Sequence, residues 1–170
     1  MLMNRAQEAA HKLQLLTDEI IAESKSLPSE LVRWRPTPEV WSIMDILCHI
    51  EEFMPYWTAQ LLNVVHRSTE PWGRDHSHPG RLAAVEDTAS KDIEAVENAI
   101  RFSAQESAWT IGRIEEAHLE VEAPSKNPRW GTKPAGFILD HLLLVHLANH
   151  LGQIRRNIDE FKKVHGRSPQ

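Results

Sequence analysis

Apolar residues recur along the chain at the three- and four-residue spacing of amphipathic helices, in four long segments separated by clusters of proline and glycine. These segments cover approximately residues 2–26, a stretch that starts at Ser42, residues 88–116, and a stretch from Pro134 to Val164. Residues 119–122 alternate between apolar and polar, but this run is too short to found a sheet. The pattern therefore predicts an all-α protein, a four-helix bundle with long crossover connections.

The start of the second helix carries the clearest local signal. Ser42 and Asp45 have the spacing of a capping box, in which each side chain accepts a hydrogen bond from the backbone N–H of the other residue. Trp41 and Ile46 occupy the two positions of a hydrophobic staple around the same point. We therefore expect the second helix to begin next to Ser42.

Composition narrows the classes of function. The chain has 170 residues, of which 41% are hydrophobic and 25% charged, the balance of a globular protein, and we expect one domain over residues 1–170. The net charge is −5 and no run is rich in lysine and arginine, so neither nucleic acid nor a membrane is an expected partner. The apolar runs are too short to cross a bilayer and Cys48 is the single cysteine, so we expect a cytoplasmic protein without disulfides.

The fourth helix has polar residues on a face that should point to the core. Its seam, which follows alternating steps of four and three residues, comprises Leu139, Leu143, His146, His150, Gln153 and Asn157. The last four members are polar, and a buried imidazole or amide without a hydrogen-bond partner costs about 1–3 kcal/mol. A metal ion would supply one partner for both histidines at once.

The two histidines of this seam have the spacing of a helical metal site. His146 and His150 are four residues apart, so they lie on adjacent turns and can bind one cation, although surface or hydrogen-bonded core histidines also show this spacing. A metal site needs a third ligand from another helix. His49, one turn past the capped start of the second helix, is the best candidate. Gln153, one turn after His150, is a candidate for orienting a bound water or a ligand imidazole.

Two blocks of sequence resemble a known family. The first block, residues 34–36 together with 41–50, resembles the second-helix signature of the DinB-like, or YfiT-like, superfamily of bacterial bundle proteins. The second block, residues 146–154, resembles the last-helix signature of the same superfamily, a His-x-x-x-His followed by Gly-Gln-Ile. The resemblance implies a four-helix bundle, often a homodimer, in which three histidines bind a divalent metal. These match His49, His146 and His150 here. Nickel or zinc is the implied metal, with iron or manganese as alternatives.

The resemblance also suggests chemistry. Characterised members include transferases and isomerases that use a low-molecular-weight thiol, so it implies a thiol-dependent S-transferase acting on a small-molecule electrophile. A metal-dependent hydrolase, with Gln153 orienting water, is the enzymatic alternative, and a metal-stabilised stress-response or interaction module is the non-enzymatic one. Many members have His-His-Arg where this chain has residues 149–151, Asn-His-Leu, which removes a basic residue. No lysine or arginine cluster is evident near the predicted site, so an anionic substrate is not indicated.

Two other types of metal site are less well supported by the sequence. Glu8 with His11, and Glu115 with His118, have the Glu-x-x-His spacing of a ferritin-like di-iron site, but the second and fourth helices lack matching glutamates. A zincin-type protease is excluded because Leu147 stands where such a protease needs glutamate.

Three further features have ordinary explanations. The His-x-His of residues 76–78 lies in a long polar connection, and Cys48 is expected to be a buried apolar residue. Trp57 is expected to pack in the core, with a place in a ligand pocket as the less favoured alternative.

Overall fold

The computed structural model describes residues 2–166, which fold mainly into α-helices. The helices are α1 (Arg5–Ser24), α2 (Ser29–Arg33), α3 (Ile43–Val65), α4 (Pro79–Ala83), α5 (Ile93–Ile111), α6 (Ala135–Phe137) and α7 (His146–His165). Short 3₁₀ segments cover Thr88–Ser90 and Glu116–Glu120, and the strands are β1 (Glu122–Pro124) and β2 (Thr132–Pro134). The π-helical turns Ile138–Val145 join α6 to α7, and these three pieces together are called the last helix.

Side-chain caps determine where the long helices begin. Ser42 caps α3: its hydroxyl accepts from the N–H of Asp45 at 3.1 Å, and the Asp45 carboxylate accepts from the N–H of Ser42 at 2.8 Å. Asn4 and Gln7 make the same reciprocal pair at α1, and the side chain of Asp92 caps α5. The predicted start of the second helix is confirmed.

Four long helices form the bundle: α1, α3, α5 and the last helix. α1 packs against α5 and the last helix, and α3 packs against the same two helices. The largest fully buried side chains between them are apolar and include Leu13, Phe53, Leu61 and Ile100. The predicted all-α four-helix bundle is therefore confirmed. Within residues 2–166, none of the helices combines the length and the apolar character needed to span a membrane.

Two long connections carry structure of their own. Residues 66–92, between α3 and α5, include α4, and residues 112–134, between α5 and the last helix, include the antiparallel pair of β1 and β2. The sequence pattern predicted no sheet, because strands of three residues are shorter than any run in which alternation can be recognised. Trp72 joins the two connections: its backbone N–H donates to Pro124 O at 3.0 Å, and its indole N–H donates to Ala123 O at 2.8 Å.

The last helix changes its winding just before the histidine pair. Its π-helical turns end at Val145, and the backbone N–H of His146 donates to Leu143 O, three residues earlier. A π-helical turn holds more residues than an α-helical turn, so it rotates the face that the following helix presents. The seam predicted over residues 139–157 nevertheless stays turned towards the core, because Leu139 and Leu143 are fully buried and His150 and Asn157 are buried as well.

Candidate metal centre

Three histidine side chains meet where α3 packs against α7. His49 lies on the second turn of α3, and His146 and His150 lie on the first two turns of α7. One ring nitrogen from each histidine lies within 4.8 Å of the other two, and Nε2 of His49 is 3.4 Å from Nε2 of His146. Among residues 2–166, this is the one such cluster of histidine, cysteine or acidic side chains. The structure thus brings together the three ligands proposed from the sequence.

Hydrogen bonds from Nδ1 set the tautomer of both histidines on α7. His146 Nδ1–H donates to the carbonyl oxygen of Leu142 at 3.2 Å, and His150 Nδ1–H donates to the amide oxygen of Gln153 at 2.7 Å. Because these oxygens can only accept, Nδ1 carries the proton in each ring and Nε2 carries a lone pair. A lone pair on one ring nitrogen, with the other nitrogen donating to an oxygen, is the usual state of a metal-binding histidine.

Two ring nitrogens of the cluster are buried without a hydrogen-bond partner, Nε2 of His150 and Nδ1 of His49. An unpaired buried nitrogen costs about 1–3 kcal/mol, and a cation bound to His150 Nε2 would give that atom a partner. The His49 ring is enclosed by Trp41 and Phe53, whose ring centroids lie 5.0 and 5.1 Å away. The donor set and the unpaired Nε2 therefore fit a divalent metal ion.

Burial keeps the three imidazoles neutral. It lowers the pKa of His49 to about 2 and that of His146 to about 3, and it also lowers the pKa of His150. Repulsion between protonated histidines lowers the pKa of His49 and His146 further. The positive charge of Arg81 lowers the pKa of all three histidines. Neutral imidazole is the form that binds metals, so no proton has to leave these rings near neutral pH.

Aromatic side chains hold the imidazoles in position. Phe53, on α3, stacks on His146 with 4.0 Å between ring centroids and 18° between ring planes. Trp41, directly before the cap of α3, lies parallel to His150 at 6.4 Å. The backbone oxygen of Trp41 accepts a hydrogen bond from Nδ2 of Asn157 at 2.8 Å, which ties the start of α3 to α7.

Two cavities adjoin the histidine cluster. The first, about 190 Å³, is lined by His49 and His146, by Trp57 and Asn149, and by side chains of the two long connections. The second, about 460 Å³, is lined by the three histidines and by Trp41. A cation held by the cluster would face space that water or a substrate can enter, which is the arrangement of an open metal site rather than a closed structural one.

Arginine side chains line the first cavity, so the expectation that no basic cluster lies near the site was wrong. Arg74, Arg81 and Arg129 belong to its wall, and Asp75 is the carboxylate among the lining residues. All four residues come from the long connections rather than from the helices that carry the histidines. Their approach to the site is a tertiary contact, which helical spacing does not report.

Comparison with known families supports the resemblance seen in the sequence. Residues 12–154 match the model of the DinB superfamily. The chain belongs to the DinB superfamily. The match covers most of the chain, including all three histidines of the cluster.

A solved DinB-like structure shares the fold. YfiT from Bacillus subtilis aligns with a TM-score of 0.78 over 99% of this chain and 91% of its own, at 8% sequence identity. YfiT is described as a probable metal-dependent hydrolase with an unusual four-helix bundle topology. At this identity the likeness shows the fold alone. No curated protein matches the chain in sequence.

The structure gives no support to the alternative of a ferritin-like di-iron site. Glu8 and His11 are exposed on α1, while Glu115 and His118 lie after the end of α5. Within the described part of the chain, neither pair belongs to a group that is close enough to share a cation.

The other candidates from the sequence have structural places. Cys48 is buried, and burial raises the pKa of its thiol to about 11, in keeping with an apolar role. His78 caps α4 by accepting from the N–H of Gly80 at 3.1 Å, whereas His76 lines the first cavity. Trp57 is buried as predicted, and it also lines the first cavity.

Proposed function

We propose that this protein is a metal-dependent hydrolase in which His49, His146 and His150 hold one divalent ion. The observation that carries the proposal is the pair of rings on α7. Each donates its Nδ1–H to an oxygen, which leaves a lone pair on Nε2 next to a third neutral imidazole. The likeness to YfiT, described as a probable metal-dependent hydrolase, supports hydrolysis as the reaction class.

Three imidazole nitrogens favour particular metals. Imidazole suits zinc, nickel and iron, but Fe²⁺ binds such sites more weakly than nickel or zinc, and manganese prefers oxygen ligands, so zinc or nickel is the proposed ion. Three protein ligands leave at least one coordination position open, as in catalytic zinc sites.

The protein's own residues have defined tasks in this proposal. A divalent ion would supply Lewis acidity, which makes water nucleophilic near neutral pH. Gln153 holds the tautomer of His150, and Phe53 fixes the plane of His146. The first cavity receives the substrate, with Trp57 and Asn149 in its wall.

Thiol-dependent S-transfer, the chemistry that the resemblance implied, has no supporting observation among residues 2–166. A transferase would need a pocket that recognises the thiol as well as the electrophile, whereas a hydrolase needs only water as its second reactant. Hydrolysis is therefore the proposed reaction, and the activity test described below distinguishes it from S-transfer.

Alanine substitution should separate the proposed ligands from other histidines. We expect about one divalent ion per chain in the wild type, and a metal content that falls towards zero in His49→Ala, His146→Ala and His150→Ala. Elemental analysis of the purified proteins measures this directly. Full metal content in His146→Ala would refute the assignment.

The matched controls are His76→Ala and His78→Ala, which change histidines of the same polar connection and should keep the metal. His76 is the stricter control because it lines the same cavity as the cluster.

Turnover then tests the reaction class. Metal-free and reloaded protein is assayed on a panel of carboxylic esters, amides and phosphate esters, with and without bacillithiol, mycothiol or glutathione. Hydrolysis that needs the metal and no thiol supports the proposal. A requirement for a thiol would replace hydrolysis with S-transfer, and no turnover across the panel would favour the non-enzymatic module.

A further inference from the structure

The first cavity joins the histidine cluster to arginine side chains. Arg74 and Arg81 come from the connection between α3 and α5, and Arg129 comes from the connection before the last helix. Asp75 offers the opposing carboxylate, but this group already accepts hydrogen bonds from the backbone N–H and the hydroxyl of Ser77. The wall of the cavity therefore carries more positive than negative charge.

Arg74 is neutralised inside the protein. Its two terminal nitrogens donate to the two carboxylate oxygens of Glu52, both at 2.6 Å, and its guanidinium lies 3.7 Å from the centroid of the Tyr56 ring. The side chain is almost completely buried. A bidentate pair of this kind satisfies the charge and most donors of the guanidinium, so Arg74 fastens the connection to α3 and is not free to bind a ligand.

Arg81, on α4, has no such partner. Among residues 2–166, no carboxylate oxygen lies within 4 Å of its guanidinium. The hydrogen bond that it makes is from Nη1 to the backbone oxygen of His76, at 3.1 Å. Its guanidinium lies 5.6 Å from the centroid of the Trp41 ring, and its side chain lines both cavities beside His49 and His146. Burial and, after it, the charge of Arg74 lower the pKa of Arg81, and the charge of Glu52, which lies beyond 4 Å, offsets this only in part.

The charges around the cluster do not balance. Three neutral imidazoles leave the double charge of a divalent ion without an anionic ligand, and the unpaired guanidinium of Arg81 adds a further positive charge. A guanidinium presents N–H donors in a planar fork that matches the oxygens of carboxylate and phosphate. A substrate that carries one of these groups would offset part of this positive charge.

We propose that Arg81 binds the anionic group of the substrate, which is a small carboxylic acid or phosphate ester positioned with its reacting bond at the histidine cluster. This inference deepens the proposed metal-dependent hydrolysis and rests on it. The two cavities that Arg81 lines, of about 190 and 460 Å³, lie below and near the lower end of the range of about 300–1,000 Å³ that is usual for drug-sized ligands, which favours a small anion.

Binding of simple anions tests the role of Arg81 without requiring turnover. Succinate and methyl phosphate are titrated calorimetrically into the metal-loaded protein, and succinamide serves as the neutral analogue of succinate. We expect at least one of the two anions to bind, succinamide not to bind, and Arg81→Gln to weaken anion binding at least tenfold at unchanged metal content. Arg81→Lys keeps the charge and should recover part of the affinity.

The matched control is Arg113→Gln. Arg113 also has its guanidinium against a tryptophan, 4.4 Å from the centroid of the Trp109 ring, and it lines neither cavity of the site. This variant should bind the anions as the wild type does. Circular dichroism on both variants shows that the helical fold is retained.

The outcomes separate this inference from the proposed function. Binding of succinate alone or methyl phosphate alone supports the inference and identifies the anionic group. Equal affinity in Arg81→Gln and the wild type, or no binding of either anion to the metal-loaded wild type, overturns it. A wild type that binds no metal but binds anions through Arg81 keeps the anion site and refutes the metal-dependent hydrolase.

Discussion

At the scale of single residues, one amide decides which nitrogen His150 offers. The Gln153 oxygen lies 2.7 Å from Nδ1, so the proton stays on Nδ1 and the lone pair stays on Nε2, the buried atom that has no other partner. Without this acceptor, either nitrogen of the ring could carry the proton. Gln153 therefore contributes to metal affinity without touching the metal, through the orientation and tautomer of a ligand.

Removing this acceptor should weaken metal binding. We expect Gln153→Leu to lower the affinity for zinc about 10–100-fold, because losing the hydrogen bond to a ligand histidine typically has that effect. Gln153→Glu keeps an acceptor for Nδ1–H and should retain the affinity. Competition with a chromophoric chelator measures both. Gln105→Leu, on the exposed side of α5, is the control. Wild-type affinity in Gln153→Leu would show that the hydrogen bond does not orient the ligand.

The residues of the site differ in how far the sequence could predict them. His146 and His150 follow from helical spacing, and His49 follows from its place after a capped helix start, strengthened by the family resemblance. Arg81 could not be predicted in this way. It lies on a short helix within an irregular connection, and only the tertiary fold brings that connection to the cluster.

At the scale of helices, the start of α3 is a junction. The Asp45 carboxylate is fully buried and accepts from the hydroxyl of Thr88 at 2.6 Å and from Arg35 at 2.8 Å, in addition to its capping bond with Ser42. These contacts fasten both flanking connections to the helix that carries His49. The capping box could be predicted from the sequence. The contacts of Asp45 with Thr88 and Arg35 could not, because they form only when the flanking connections fold against α3.

The two capping boxes should therefore differ in their effect on stability. Loss of a cap costs about 1 kcal/mol in the free energy of unfolding, and we expect Asn4→Ala to cost that amount. Ser42→Ala should cost about 1–3 kcal/mol more, because Ser42 and Asp45 are buried and the N–H of Asp45 would lose its partner away from water. Urea denaturation measures the two losses, and equal losses would contradict a role for burial at this junction.

The π-helical turns of the last helix were beyond sequence prediction for a physical reason. Hydrophobic spacing shows which face of a helix is apolar, but an extra residue in one turn leaves most of that spacing intact. In the structure, the N–H of His146 donates to Leu143 O, while Leu142 O accepts from the imidazole of His146. The change of winding thus coincides with the hydrogen bond that orients a proposed ligand.

At the scale of the whole molecule, the bundle was predictable because it depends on patterns rather than on particular residues. The chain and YfiT share a fold at a TM-score of 0.78 with only 8% identity, so this fold tolerates the replacement of most side chains. The sheet and the two connections depend on single contacts such as those of Trp72. Such contacts have no periodic signature.

The buried histidines also couple the stability of the whole molecule to pH. Burial lowers the pKa of His49 to about 2 and of His146 to about 3, whereas the unfolded chain has the ordinary histidine pKa of about 6.5. Below that value the unfolded state binds more protons than the folded state, so the free energy of unfolding decreases as the pH falls from about 6.5 towards 3. For these two groups together the slope approaches about 2.7 kcal/mol per pH unit.

This coupling predicts that the metal-free protein is steeply sensitive to mild acid. Urea denaturation of metal-free protein at about pH 7.5, 6.5 and 5.5 should show a loss from these two groups of about 0.7 kcal/mol between the first two values and about 2 kcal/mol between the second and the third. In His146→Gln the loss between about pH 6.5 and 5.5 should be smaller by about 1 kcal/mol, because one titrating group is gone. The window above pH 5.5 excludes most carboxylate titration from the comparison. Identical losses in the wild type and His146→Gln would mean that His146 takes up a proton as readily in the folded protein as in the unfolded chain.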